Sequence, residues 1–212
     1  MATVKQKKIL QILATAYQGL GTALAHSNNF ELLVAVILSA QCTDERVNII
    51  TKRLFPKYST PAIWLEQLTE AKLMELIHDC GLFRSKAKNL LATCAILVEK
   101  HQGQVPNKFE ELVLLPGVGR KTANVMLSQA FGVPAIAVDT HVFRTSRRLG
   151  LAKSDDVLKV EQELQKTIPK KHWSAAHHWL IWHGRKICKA RKPLCQLCPL
   201  QSLCNSDDKT TA

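Results

Sequence analysis

The stretch Leu114-Leu115-Pro116-Gly117-Val118-Gly119-Arg120-Lys121-Thr122-Ala123-Asn124 constrains this chain more than any other, because it stops one helical pattern and starts another within a few residues. An apolar run at helical spacing, Phe109 to Leu115, meets a Pro-Gly-x-Gly punctuation, and a second helical run follows from Thr122 to Phe131. The spacing predicts a helix, a hairpin and a helix. Gly117 and Gly119 have no Cβ, so their amides can come close to a ligand, and the helix that follows turns its positive end to the same point. Such a corner suits a phosphate. Arg120 and Lys121 stand directly behind it, one able to hold a phosphate and the other able to become a nucleophile.

Elsewhere the pattern is helical too. Helices are expected from Ile9 to near Leu20, Phe30 to Ala40, Glu45 to Leu54, in two short pieces between Ser59 and His78, and from Asn89 to Lys100. Beyond the hairpin they are expected from Asp139 to Gly150, Asp155 to Ile168 and Trp173 to Lys186. No alternating strand pattern of useful length occurs, so the fold class is all-α. Phe30 to Ala40 is apolar on nearly every side and belongs at the centre of a bundle. Thr43 or Asp44 can cap the helix after it, Asp139 stands at or near another N-cap, and the polar tail Asn205 to Ala212 reads as disordered.

Lys and Arg outnumber Asp and Glu by 29 to 17, a net charge of +12, which points to a polyanionic partner such as nucleic acid or an acidic membrane surface. No apolar run approaches the roughly 20 residues that cross a bilayer. Lys5, Lys7 and Lys8 before Ile9 to Ala25 imitate a signal peptide, but Gln11, Tyr17, Gln18 and Gly19 interrupt the run. Ile9, Ile12, Leu13, Ala16, Tyr17 and Leu20 fall on one helical face, as in a first amphipathic helix of a cytosolic protein.

The seven cysteines form two unlike sets. Cys42, Cys80 and Cys94 are isolated in helical surroundings and read as buried thiols. Cys188, Cys195, Cys198 and Cys204 are spaced C-x6-C-x2-C-x5-C in a segment with two prolines and little helical pattern. So small a segment has no core of its own, and an intracellular setting disfavours disulfides, which leaves a metal centre. A single C-x2-C among four closely strung sulfurs favours an iron-sulfur cluster over zinc, although the ligand type permits both. Lys186, Lys189, Arg191 and Lys192 crowd the loop, as for phosphate contact.

Taken together, Phe30-Glu31-Leu32-Leu33, Ser39-Ala40-Gln41, the hairpin, Val138-Asp139-Thr140-His141 and the four cysteines resemble the endonuclease III family of DNA glycosylases. The resemblance implies two helical lobes flanking a DNA-binding cleft. Residues 23–134 would form a six-helix lobe carrying the helix-hairpin-helix at about 108–131; residues 1–22 with 135–212 would form a lobe carrying the cluster loop 188–204. It implies base-excision repair: removal of oxidised pyrimidines from duplex DNA, then strand cleavage at the abasic site through a lysine Schiff base. Lys121 would be the nucleophile and Asp139 its proton acceptor or the stabiliser of the cationic sugar. Attack needs the neutral form of that amine. One 4Fe-4S cluster would be held by Cys188, Cys195, Cys198 and Cys204. Gln41 would fill the gap left by the flipped nucleotide and Leu82 would wedge into the stack. Gly117, Val118, Gly119, Arg120, Lys189, Arg191 and Lys192 would contact DNA, with Asp44 and His141 near the pocket. The implied partner is double-stranded DNA with oxidised pyrimidines or abasic sites, met by a monomer in the cytoplasm, at the nucleoid in a bacterium, with no membrane. Cys42 stands where the family pattern has alanine, and Phe83-Arg84 where it has Tyr-Asn. An adenine-mismatch glycosylase of the same superfamily typically lacks the hairpin lysine. A non-catalytic DNA-binding or redox-sensing protein would need neither Lys121 nor Asp139.

Overall fold

Short polar side chains set most helix starts in the computed structural model, which describes residues 2–210. Thr3, Asn28, Thr43, Thr60, Thr69, Asp139 and Asp156 each accept a hydrogen bond from a backbone N–H of the helix they precede, satisfying a donor that the helix itself leaves unpaired. Among the described residues every regular element is helical. None of the helices is long and apolar enough to cross a membrane. The chain divides into two compact units, residues 23–131 and residues 1–22 with 132–212.

The unit of residues 23–131 is built around α2 (Asn29–Leu38), in which Phe30 to Leu38 are all buried. A helix apolar all round can only be stable when covered on all sides. Here α3 (Asp44–Leu54), α6 (Phe83–His101) and α8 (Arg120–Phe131) cover it, while α4 (Pro61–Gln67) and α5 (Glu70–Leu76) pack on α6. Trp64 is fully buried and meets Phe30 edge to face, with ring centroids 5.6 Å apart. Two boundaries differ from the expectation by more than two residues. The helix expected from Asn89 begins at Phe83, because its first turn, Arg84-Ser85-Lys86, is polar and imitates a loop. The run from Phe109 to Leu115 holds only a four-residue helix, α7 (Phe109–Leu112). Leu114 lies beyond it in the turn, 76% exposed.

In the other unit, α1 (Val4–Ala16), α9 (Thr140–Arg148), α10 (Val157–Thr167) and α11 (Trp173–Lys186) surround a core that includes Ile9, Leu13, Val142, Leu149, Leu164 and Leu180. α1 begins five residues before the expected Ile9, because Thr3 and Gln6 close a reciprocal capping box ahead of the apolar stripe. α11 packs on both α1 and α9. Its approach to α9 depends on Gly184: a Cβ there would lie 2.8 Å from Thr145 Oγ1 and 3.1 Å from His141 Cβ. The polar tail is not free along its described length, since Asp208 pairs with Arg148 at 2.9 Å and Thr210 Oγ1 donates to the Pro193 carbonyl. Thr211 and Ala212, the last residues of that expected disorder, lie outside the described residues.

Gly184→Val is expected to lower stability by about 1–3 kcal/mol, the usual cost of overpacking. Gly21→Ala, whose added carbon meets nothing within 4 Å, should change it little. Urea denaturation of the two variants checks this; equal midpoints would mean that α9 and α11 do not need the glycine.

Candidate active site and metal centre

Between α7 and α8 the chain turns through Leu115 to Gly119, closed by the Val118 N–H donating to the Leu115 carbonyl at 3.0 Å. Gly117 has φ +79°, a left-handed conformation that favours glycine, and a Cβ there would press within 3.3 Å of the Asn89 side chain. Thr93 Oγ1 donates to the Pro116 carbonyl at 2.9 Å, so α6 straps the turn from below. Val118 points inward and is buried. At Gly119 no atom of the chain lies within 4 Å of where a Cβ would be. The Arg120 guanidinium lies over the Phe109 ring, 5.1 Å from its centroid, which binds the start of α8 to α7. Lys121 follows on the first turn of α8, exposed. Backbone amides at a helix start, a guanidinium and an exposed lysine are the kinds of donor that a phosphodiester would require.

Gln41 and Leu82, in the same unit, both adopt the left-handed conformation, with φ 53° and 60°. Non-glycine residues rarely do so without outside support. Both side chains stand in solvent, Leu82 54% exposed. The two turns touch at Gly81, where a Cβ would fall 2.9 Å from the Gln41 carbonyl oxygen. Thr43 is the N-cap of α3, and Asp44 is its first residue, half-buried. Cys42 is half-buried beside Cys80, whose thiol is pushed up by burial against the opposing effect of Lys86. Cys94 is an ordinary buried thiol, pushed up to about 12 by burial.

In the second unit, Asp139 is the N-cap of α9, one carboxylate oxygen accepting the Val142 N–H at 2.7 Å. His141 is half-buried and its Nδ1 lies 3.3 Å from the Arg144 guanidinium. Burial pushes its imidazole below the usual range, Asp139 opposing and Arg144 and Arg185 adding to the effect. Burial thus favours the neutral ring over the cation.

The four cysteines are unbridged, and all four line one cavity that His183 and Arg148 help to wall. Among the described residues no three metal-binding side chains converge closely enough for a single ion. Four thiols around a shared space fit a larger centre, a cluster with one iron per sulfur ligand. Two arginines that sequence reasoning passed over hold this loop by its backbone. Arg144 donates to the Cys188 carbonyl at 3.1 Å and to the Gly184 carbonyl at 3.0 Å; Arg148 donates to the Lys189 carbonyl at 2.7 Å. Their i, i+4 spacing on α9 was the available signal. Lys189, Arg191 and Lys192 are exposed on the loop, Lys192 with φ 50°. Lys86, Asn89 and Thr93 were also missed, since their roles depend on which turns α6 meets.

Residues 34–170 match the family model of the HhH-GPD superfamily base excision DNA repair protein, and residues 188–204 match the iron-sulfur binding domain of endonuclease III. Endonuclease III of Rickettsia prowazekii (strain Madrid E) is 54% identical over 197 residues, covering 93% of this chain and 92% of that one. Endonuclease III of Escherichia coli (strain K12) is 50% identical over 188 residues, 89% of each. The structure of a non-covalent endonuclease III-DNA complex is 52% identical with a TM-score of 0.91, over 97% of this chain and 96% of that one. A trapped endonuclease III-DNA covalent intermediate matches with the same identity and TM-score, over 97% of each. The hairpin with its lysine, the capping aspartate and the four-cysteine loop thus occur in a chain that belongs to the endonuclease III family of the HhH-GPD superfamily.

Proposed function

We propose that Lys121 and Asp139 carry the glycosylase and AP lyase reactions of this base-excision repair enzyme, on oxidised pyrimidines and abasic sites in duplex DNA. The observation that carries the reading is the placement of Lys121: exposed, on the first turn of α8, directly after a glycine turn suited to the DNA backbone. Binding alone would not need an amine there.

The chemistry follows from these groups. A nucleotide turned out of the stack presents its C1′ to the amine. The amine nitrogen forms a bond to C1′ as the glycosidic C–N bond breaks, and the base leaves with the bonding electron pair. Asp139 accepts the proton lost by the amine, or stabilises positive charge on the sugar as the base departs. Ring opening yields a Schiff base between Lys121 and C1′. The iminium acidifies C2′; loss of a C2′ proton sends electrons toward C3′, and the C3′–O bond breaks with the phosphate as leaving group. Water then releases the lysine from the sugar fragment.

Gln41 and Leu82 are proposed to enter the duplex, Gln41 in the gap left by the flipped nucleotide and Leu82 in the stack. Gly117, Val118, Gly119 and Arg120 grip the backbone at the hairpin, and Lys189, Arg191 and Lys192 contact phosphates. Asp44 and His141 border the pocket. The lobes are assigned as residues 23–134 and residues 1–22 with 135–212, and the enzyme acts as a monomer in the cytoplasm, at the nucleoid in a bacterium. The cofactor is one 4Fe-4S cluster. Cys188, Cys195, Cys198 and Cys204 are the proposed ligands, and the cluster supplies the iron–thiolate bonds that pin a loop lacking a core of its own.

Borohydride reduction is expected to trap a covalent complex with abasic-site DNA, and Lys121→Ala should lose it while still shifting the DNA in a gel. Trapping that persists in the variant would place the nucleophile elsewhere. Asp139→Asn, which still caps α9, should lower turnover about 100-fold with binding retained; unchanged turnover would leave Asp139 only a cap. The purified protein should be brown, absorbing broadly near ~400 nm, and Cys198→Ser should lose that band. A colourless protein with stoichiometric zinc would contradict the cluster.

A further inference from the structure

Lys86 is a buried lysine, 4% exposed, and its ammonium nitrogen hydrogen-bonds to no carboxylate. Its nitrogen instead donates to the Leu38 carbonyl at 2.8 Å, the Ala40 carbonyl at 2.6 Å and the Cys80 sulfur at 3.0 Å. Three acceptors match the three hydrogens of an ammonium. Leu38 and Ala40 lie at the C-terminal end of α2, where carbonyls lack helical partners and a cation is favoured. Leu38 also accepts from the Cys80 thiol at 3.2 Å, which closes a small network.

The position of this network gives it a second consequence. Ala40 immediately precedes Gln41, and Cys80 stands two residues before Leu82. The Lys86 backbone N–H donates to the Leu82 carbonyl at 3.0 Å. One residue therefore holds Leu82 through its main chain and the approach to Gln41 through its side chain. Those are two of the four non-glycine residues with positive φ in the described chain, and both present exposed side chains. Gly81 lets the two turns meet, since any larger residue would displace the Gln41 carbonyl.

We propose that Lys86 is a positioning residue that locks the Gln41 and Leu82 turns as one rigid wedge for opening the DNA duplex. The proposal rests on the reading that Gln41 and Leu82 enter the duplex. A preformed wedge does not have to order two loops while base pairs are being unstacked, so its advantage is confined to substrates that have a stack to open.

The test compares AP lyase cleavage of an abasic site in a duplex with the same site in a single strand. Lys86→Met keeps most of the length of the side chain and removes its donors. Gly81→Ala leaves Lys86 intact and pushes the turns apart, so it tests their coupling; Lys86→Gln tests the lysine itself if Lys86→Met does not fold. Each is expected to lower kcat/KM on the duplex about tenfold or more while changing the single-strand value less than about threefold, and Lys86→Arg should recover part of the duplex loss. Equal losses on both substrates, or no loss on the duplex, would overturn the positioning role. Gln41→Ala and Leu82→Ala serve as references. If these two lose duplex cleavage selectively and the Lys86 and Gly81 variants do not, the wedge stands and Lys86 is not what holds it. If neither reference shows the selective loss, the wedge reading itself falls, and the proposal with it.

Discussion

A helix with no solvent-facing side sets the terms for the unit of residues 23–131. Because α2 is buried from Phe30 to Leu38, its neighbours must cover it completely, and the carbonyls at its C-terminal end need protein donors. Lys86 supplies them from α6. The same helix presents Asn89 and Thr93 to the hairpin turn, at Gly117 and Pro116. Residues 86, 89 and 93 are spaced i, i+3, i+7, which aligns them along one face of a helix. A single stripe on α6 thus supports the Gln41 turn, the Leu82 turn and the hairpin that leads to Lys121.

In the other unit α9 has a comparable position. Its first turn is capped by Asp139, and Arg144 and Arg148 on the same helix hold the backbone of the cysteine loop. Gly184 brings α11 close enough for the Arg144 guanidinium to reach its carbonyl, and α11 leads directly into Cys188. The aspartate assigned to chemistry and the loop assigned to the cluster are therefore carried by one packed pair of helices.

Much of this was legible in the sequence because it is written in local signals. Pro116-Gly117, the helical runs beside it and the cysteine spacing each depend on neighbours along the chain, and each marks a real element. Asp139 could be read as a cap for the same reason. What was not legible depends on neighbours in space. The first turn of α6 looked like a loop because Arg84, Ser85 and Lys86 are polar, and nothing in the sequence indicates that Lys86 is buried with its charge met by carbonyls 46 and 48 residues away. The left-handed conformations of Gln41 and Leu82 were equally hidden, since neither residue type favours them. The tail beyond Asn205 looked disordered by composition, yet Asp208 and Thr210 find partners in Arg148 and Pro193.

The lysine behind the glycine turn is the group proposed to make the bond to the sugar. The direct measurement is tandem mass spectrometry of the borohydride-reduced complex after digestion of both protein and DNA. One modified peptide is expected, with the sugar remnant on the Lys121 nitrogen. A remnant on any other lysine, or on the chain's N-terminal amine, would contradict it.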